Sequence, residues 1–163
     1  MIIMGIDPGL ATVGFGFVRF ERGRFEPLEY GAVLTPAGVK TEYRLQEIYE
    51  NITELLRNTR PQAVSIEKLY FNTNEKTAVN VCQARGVILL AVTQSGVPIY
   101  EYTPLQIKQA VTGNGRADKK QVMYMVTKLL NLKKEPHPDD TADALAAALC
   151  HAYSSDSMLF GLQ

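Results

Sequence analysis

The sequence predicts an α/β domain built on a mixed five-stranded sheet. Three strand patterns stand together near the N-terminus, two further strand-like runs each follow a helical pattern, and helical segments close the chain. With 163 residues, the chain can bury one sizeable core but is too short for two ordinary lobes. We therefore predict a single domain over residues 1–153, followed by a C-terminal tail over residues 154–163.

The first three strands are expected to form an antiparallel meander. An apolar run from Ile2 to Ile6 ends at Asp7-Pro8-Gly9, because proline and glycine stop the strand and turn the backbone. Residues 13–20 then alternate as a strand does, residues 21–24 are typical of a turn, and residues 25–34 return as the third strand.

The remaining elements alternate between helices and strands. Apolar residues between positions 41 and 58 recur at helical spacing, and the strand 63–67 follows directly. This connection is a crossover, so we expect strand 63–67 to lie parallel to the first strand. The other predicted elements are a helix over 74–95, a strand over 97–102, a short helix over 104–111, a loop over 113–115, and helices over 118–130 and 140–153.

The helix predicted over residues 74–95 is apolar on every side. A helix of this kind is either fully buried or shared with a second subunit. Because the domain is small, we favour a homodimer interface along this helix, with Gly86 allowing a close approach of the two helices.

Charge is balanced overall but unevenly distributed. The 17 basic and 17 acidic residues argue against a generally basic coat for nucleic acid. Between Thr103 and Lys134, however, Asp118 is the only acid among seven bases, which are Lys108, Arg116, Lys119, Lys120, Lys128, Lys133 and Lys134. This segment predicts a local attraction for a phosphate backbone.

Neither the N-terminal residues nor the cysteines indicate export. The start MIIMGIDPG lacks a basic region and meets an acid at position 7, so we expect a cytoplasmic chain without a signal peptide or spanning helix. Cys82 and Cys150 lie in apolar helical stretches without metal-binding spacing, which favours reduced structural thiols.

Two acids end strands that are predicted to be neighbours. Asp7 and Glu67 should meet at the carboxyl end of the sheet, where α/β folds usually place their sites. Their mutual repulsion needs a proton or a cation to offset it, and oxygen-only ligands favour Mg²⁺ or Mn²⁺. Each acid also has a simpler interpretation: Asp7 as a turn cap, and Glu67 as a surface acid at a strand end.

A third acidic group stands at the start of the last helix. Asp139 follows Pro138 and is interpreted as a helix cap. Asp140 is only partly explained in this way, and Asp143 is not, because it lies a turn inside the helix on the same face. No Lys or Arg lies within four residues of Asp143. A tertiary partner is therefore required, and a metal shared with Asp7 is the simplest one.

Together these residues resemble the RuvC family of Holliday-junction resolvases over nearly the whole chain. The motifs that carry the resemblance are Ile3-Met-Gly-Ile-Asp7-Pro-Gly9, Ser65-Ile-Glu67, Gln83-Ala-Arg-Gly86, Gln106-Ile-Lys108-Gln and Asp140-Thr-Ala-Asp143-Ala-Leu-Ala. The resemblance implies an RNase H-like fold, a homodimer and paired symmetric nicks in four-way junctions. It also implies four metal-binding acids, which fall on Asp7, Glu67, Asp140 and Asp143.

The resemblance further implies how DNA is held. Lys108 and Lys119 match its DNA-contacting lysines, and Arg116 and Lys120 are added as contacts from the same basic segment. An aromatic side chain that stacks on an opened base falls on Tyr70, while Phe71 is either core or a second contact. Two Mg²⁺ ions per site, with Mn²⁺ as a substitute, would activate water as the nucleophile. A branch-migration motor and a thymine-rich cleavage preference are also implied.

Three other functions are weighed against this one. An actin-like ATPase shares the region around Asp7, but this chain leaves no second lobe or phosphate loop. A silent junction-binding module would have no use for four aligned acids. A ribonuclease H acting on RNA·DNA hybrids is separated only by the family motifs and the interface helix.

His137 is expected in a loop, and His151 as a partner of the last helix's C-terminal dipole.

Overall fold

A computed structural model of the protein describes residues 1–69 and 75–159, with side chains over 1–69 and 78–155. Within these ranges, five strands and five helices follow the predicted order. They are β1 (Ile2–Asp7), β2 (Thr12–Glu21), β3 (Arg24–Leu34), α1 (Thr41–Thr59), β4 (Ala63–Glu67), α2 (Glu75–Gln94), β5 (Ile99–Tyr102), α3 (Pro104–Thr112), α4 (Lys119–Leu129) and α5 (Asp139–Leu159). None of the described helices is long and apolar enough to cross a membrane.

The five strands form one mixed sheet in the order β3-β2-β1-β4-β5. The three N-terminal strands are antiparallel neighbours, with Asp7 opposite Gly14, so the predicted meander is confirmed. Strand β4 runs parallel to β1, with Ile6 opposite Ile66, and β5 runs parallel to β4. The crossover through α1 therefore places the ends of β1 and β4 side by side, as predicted.

The sheet separates two hydrophobic cores. On one face, the side chains of Met4 and Ile6 pack with α1 and α2 through Ile48, Ile52 and Ile88. On the other face, α3, α4 and α5 cover the sheet, and their core includes Ile3, Val18, Ile107, Val126 and Leu145. Successive residues of a strand point to opposite faces, so β1 contributes to both cores. Helices on both faces of a mixed sheet agree with the predicted α/β class.

Capping residues set the ends of the two helices in the basic segment. Thr103 and Gln106 form a capping box at the start of α3, and Gly113 ends that helix in a left-handed conformation with φ of 74°. Asp118 and Gln121 form a second capping box, so α4 begins at Lys119, one residue later than predicted. The single acid of the basic segment therefore has a structural role at a helix start.

The last helix is longer than predicted, and this corrects three expectations. It runs from Asp139 to Leu159, because residues 154–159 contain no glycine or proline and the Ser154 hydroxyl donates to the Cys150 carbonyl at 2.9 Å. Residues 154–159 thus continue the helix. Asp139 lies within the first turn instead of before it. His151 is buried eight residues before the helix end, too far to act on the C-terminal dipole.

Helix α2 packs one face on the sheet and leaves apolar side chains on the other. Ala84, Ile88 and Val92 are buried against the core. Val79 and Leu90 are exposed, and 51% of Leu90 is accessible to solvent. The expectation of an all-round apolar helix is therefore wrong: the exposed face carries Val79 and Leu90 among polar residues such as Asn80 and Gln83.

Candidate active site

Strand geometry places Asp7 and Glu67 on the same face and at the same end of the sheet. In β1, Asp7 shares the face of Ile3 and Gly5, which is covered by α5. In β4, Glu67 shares the face of Ser65, whose hydroxyl donates to the Ala147 carbonyl of α5 at 2.6 Å. Ile6 pairs with Ile66, and Asp7 and Glu67 are the next residues of these two parallel strands, so the two acids lie side by side. The two strand-end acids are therefore brought together, as predicted.

Small residues allow the backbone of α5 to lie directly on the strands. A Cβ atom added at Gly14, the partner of Asp7, would lie only 1.9 Å from the backbone oxygen of Asp140. A Cβ added at Gly5 would lie 1.8 Å from the backbone oxygen of Ala144. These contacts bring the first turns of α5, which carry Asp140 and Asp143, over the ends of β2 and β1.

The acids raise one another's proton affinity. Burial, followed by the nearby charges of Asp143, Asp140 and Glu67, raises the pKa of Asp7 to about 8. Burial and the charge of Asp143 also raise the pKa of Glu67. The pKa of Asp143 is raised by burial and by Asp140 and Asp139, against the opposing effect of Lys119. All four predicted acids thus belong to one electrostatic group around Asp7.

Two predicted lysines lie beside these acids. Lys119 Nζ is 3.5 Å from Asp143 Oδ2, and this interaction raises the pKa of the lysine. Lys108, on α3, is close enough to Glu67 to oppose the upward shift of that residue's pKa. The side chain of Lys119 is 74% exposed, so solvent weakens its ion pair. These two lysines therefore offset only part of the negative charge.

The acidic side chains do not already form a ligand set. Within the described residues, no three His, Cys, Asp or Glu side chains are arranged to hold a metal ion. Like-charged carboxylates repel one another. Their oxygen atoms, burial and shared excess of negative charge nevertheless fit a hard divalent cation.

A cleft of about 360 Å³ lies beside the acids, between α4 and the start of α5. It is lined by Lys119, Lys120, Met123, Glu135, His137, Asp139, Ala142 and Asp143. Lys120 is thus adjacent to the site, and His137 lies in the loop before α5, as expected. Arg116 is exposed in the turn before α4. Tyr70 and Phe71, the predicted base contacts, lie outside the described residues.

The sequence patterns did not indicate the residues whose role is to position the acids and not to bind substrate. Gly5, Gly14 and Ser65 determine how closely α5 approaches the sheet. The sequence signal for this close packing is the combination of small residues on the strands with the alanine-rich run of the last helix. His151 was also missed as a packing residue: its Nδ1 lies 2.7 Å from the Tyr102 hydroxyl, and burial lowers its pKa.

Comparison with known proteins decides the family. The family model described as Crossover junction endodeoxyribonuclease RuvC matches residues 3–151. The chain belongs to the RuvC family. A RuvC from Clostridioides difficile is 54% identical over 155 residues, covering 95% of this chain and 92% of the relative. A RuvC from Caldanaerobacter subterraneus is 49% identical over 158 residues, covering 97% of this chain and 96% of that relative.

Solved RuvC structures share the fold. The Thermus thermophilus RuvC in complex with a Holliday junction substrate superposes with a TM-score of 0.90 at 38% identity, covering 95% of this chain and 94% of the other. The yeast mitochondrial Holliday junction resolvase, at 9% identity and a TM-score of 0.69, supports the fold alone. The predicted RNase H-like fold is confirmed, and this RuvC family member is an endonuclease that resolves Holliday junctions.

Proposed function

We propose that Asp7, Glu67, Asp140 and Asp143 form the catalytic site with which this RuvC family member nicks two strands of a four-way junction symmetrically. The observation that carries the proposal is the group of carboxylates around the half-buried Asp7, whose pKa is raised to about 8. A fold gains no stability from such a group, so its presence at the sheet end points to chemistry. The activity is placed in the cytoplasm, where the two free cysteines would stay reduced.

The four acids are proposed to hold two divalent metal ions, Mg²⁺ in preference and Mn²⁺ as a substitute. RuvC family nucleases depend on a divalent metal. The fit rests on four oxygen-bearing side chains that share one end of the sheet with too little positive charge to balance them. When bound, such ions activate water as the nucleophile and stabilise the attacking and leaving oxygens of the phosphodiester.

The two lysines are proposed to position the scissile strand. Lys119 lies at the edge of the acidic group and is largely exposed, so it can turn from Asp143 toward a phosphate. Lys108 and Lys119 both lower the pKa of Glu67, so both cations lie beside the acids. A phosphate held between them is oriented above Asp7 before cleavage. Lys120 and Arg116 are proposed as further backbone contacts.

A homodimer through α2 would provide two such sites. A four-way junction has approximate two-fold symmetry, so one site in each subunit can reach two strands of like polarity. The exposed apolar face of α2, with Val79 and Leu90, supports this interface. Tyr70 and Phe71 are proposed to contact opened bases near the crossover. A branch-migration motor and a thymine-rich cleavage preference remain proposals drawn from the family.

The decisive experiment compares Asp143→Asn with Asp139→Asn on a synthetic four-way junction. With Mg²⁺, the wild type is expected to give paired symmetric nicks, while chelator abolishes cleavage. Asp143→Asn should bind the junction but cleave it at least about 100-fold more slowly, because a proposed metal ligand is lost. Asp139→Asn makes the same change one turn earlier on the same helix, outside the quartet, and should cleave at nearly the wild-type rate.

Two outcomes would contradict this assignment. Full activity of Asp143→Asn would remove that residue from the site. Cleavage of an RNA·DNA hybrid in place of the junction would favour a ribonuclease H, and junction binding without any cleavage would favour a silent binding module.

A further inference from the structure

Helix α4 presents a continuous basic and aromatic surface that begins at the cleft beside the acids and runs beyond it. Lys120, Tyr124 and Lys128 are spaced four residues apart and are all exposed, so they form one stripe along the solvent face of the helix. We call these three residues the α4 stripe. The opposite face of the helix packs into the core through Val122 and Val126. The stripe is therefore held on a rigid, well-anchored element.

The positive charge of the stripe is not neutralised by the protein. In the part of the chain that the structure describes, neither Lys120 nor Lys128 takes part in an ion pair. The Nζ atom of Lys128 lies 5.5 Å from the centre of the Tyr124 ring, which steadies the lysine without cancelling its charge. Tyr124 is 56% exposed, with Lys128 beside its ring, so the residue is accessible to a ligand.

The stripe is continuous with the candidate active site. Lys120, at its first position, lines the same cleft as Asp143 and Lys119. The eight-residue separation of Lys120 and Lys128 corresponds to about 12 Å along a helix. Phosphates of one DNA strand advance about 3.4 Å per nucleotide along the duplex axis, so the stripe spans three to four nucleotides. A strand that leaves the acids through the cleft would therefore meet the stripe next.

We propose that the α4 stripe binds the phosphate backbone of one duplex arm as that arm leaves the cleavage site. Lys120 and Lys128 contact phosphates by charge, and the Tyr124 hydroxyl donates a hydrogen bond to the same backbone. These contacts carry no base preference and orient the arm. The inference rests on the proposed function, because it extends the DNA path from the same site, and it assigns Tyr124 and Lys128 a role that the family motifs do not.

Salt dependence tests the stripe directly. The full chain is bound, in chelator, to a synthetic four-way junction with long duplex arms over a range of salt concentrations. Each phosphate contact contributes about 0.9 to the slope of log affinity against log salt. Lys128→Gln should therefore lower the magnitude of the slope by about 0.9, and the double variant Lys120→Gln/Lys128→Gln by about 1.8. The loss of junction affinity caused by Lys128→Gln should therefore become about eightfold smaller over a tenfold rise in salt concentration.

Two further variants separate the stripe from general charge effects. Arg57→Gln removes one exposed positive charge from the end of α1, on the other face of the sheet, and should keep the wild-type slope. Tyr124→Ala should weaken binding about two- to tenfold without changing the slope, because a neutral hydroxyl releases no counterion.

The outcomes distinguish this inference from the proposed function. If the wild type binds and cleaves the junction but Lys128→Gln keeps its slope, the stripe is overturned and the proposed function stands. If Arg57→Gln lowers the salt slope as much as Lys128→Gln does, the proposed role of the α4 stripe is also overturned. A wild type that fails to bind the junction at all would overturn both.

Discussion

At the scale of single residues, the central feature is the cost of keeping Asp7 charged. Its carboxylate is half-buried and lies near three others, while Lys119, the cation that lowers its pKa, is mostly exposed and already beside Asp143. Desolvation and like charge outweigh this partial compensation, so the pKa of Asp7 rises to about 8. Without a bound cation, Asp7 therefore destabilises the fold at neutral pH.

This predicts a stabilising substitution. The folded-state pKa of Asp7, about 8, exceeds its ordinary value of 3.8, so wild-type stability falls as pH rises through that window. In chelator at pH 7, Asp7→Asn should have a larger free energy of unfolding by at least about 1 kcal/mol. The gain should vanish near pH 4 and level off above pH 8. Urea unfolding of both proteins at several pH values measures this difference in the free energy of unfolding.

The matched control is Glu54→Gln, which neutralises an exposed acid on α1 and should leave the free energy of unfolding nearly unchanged. Adding Mg²⁺ should raise the stability of the wild type more than that of Asp7→Asn. An Asp7→Asn variant less stable than the wild type at every pH would show that the carboxylate is compensated in another way.

At the scale of elements, the packing of α5 on β1 and β2 decides where the acids stand. Gly14 lies against the Asp140 backbone, and Gly5 lies against Ala144 and Ala148. The Ser65 hydroxyl ties β4 to the same helix. Backbone atoms cannot rotate aside as side chains do, so added volume at Gly14 must shift the helix itself. Site geometry is thus coupled to a strand glycine that touches no substrate.

Gly14→Ala is therefore expected to impair both activity and stability. The new methyl group should push the first turn of α5 away from Asp7, lowering the rate of junction cleavage by about 100-fold. The free energy of unfolding should fall by about 1 to 3 kcal/mol. Single-turnover cleavage and urea unfolding measure the two effects.

Gly31→Ala is the matched control, because it lies in β3 and its added methyl group would meet only the Phe15 ring at 3.4 Å, an ordinary contact. It should retain nearly full activity. Equal losses in both variants would mean that the glycines matter for strand formation and not for the position of α5.

At the scale of the whole molecule, the uncovered face of α2 is the feature that a single chain leaves unexplained. Val79 and Leu90 are exposed on a helix whose other face is buried in the core. Gly86 lies on the same exposed side, and a Cβ added there would meet nothing within 4 Å. A second copy of the chain is the proposed cover.

Leu90→Asp should give monomers, because a charge buried in an apolar interface is costly. We expect at least a 100-fold weaker dimer, on the order of 3 kcal/mol, as measured by light scattering at several concentrations. Leu34→Asp makes the same change at an exposed leucine of β3 and should leave the dimer intact. A Leu90→Asp protein that stays dimeric would move the interface away from this face.

Most of the fold could be predicted from local patterns. The alternation in β2, the helical spacing in α1, and the turn after Asp7 each depend on residues close in sequence, so periodicity shows them directly. The predicted end of the last helix at Tyr153 is wrong, because the hydroxyls of Ser154 and Ser155 donate to carbonyls of the same helix, which continues. His151 was misassigned for the same reason, since its place in the helix depends on that end.

The sequence by itself determined the order of the elements, the parallel pairing of β1 with β4, and hence the meeting of Asp7 with Glu67, because connection rules leave few alternatives for so short a chain. Only the tertiary structure decided how Asp140 and Asp143 reach those two acids. Their approach depends on the close contact of α5 with Gly5 and Gly14, residues more than 100 positions away. Contacts of that range follow from packing, which no local pattern records.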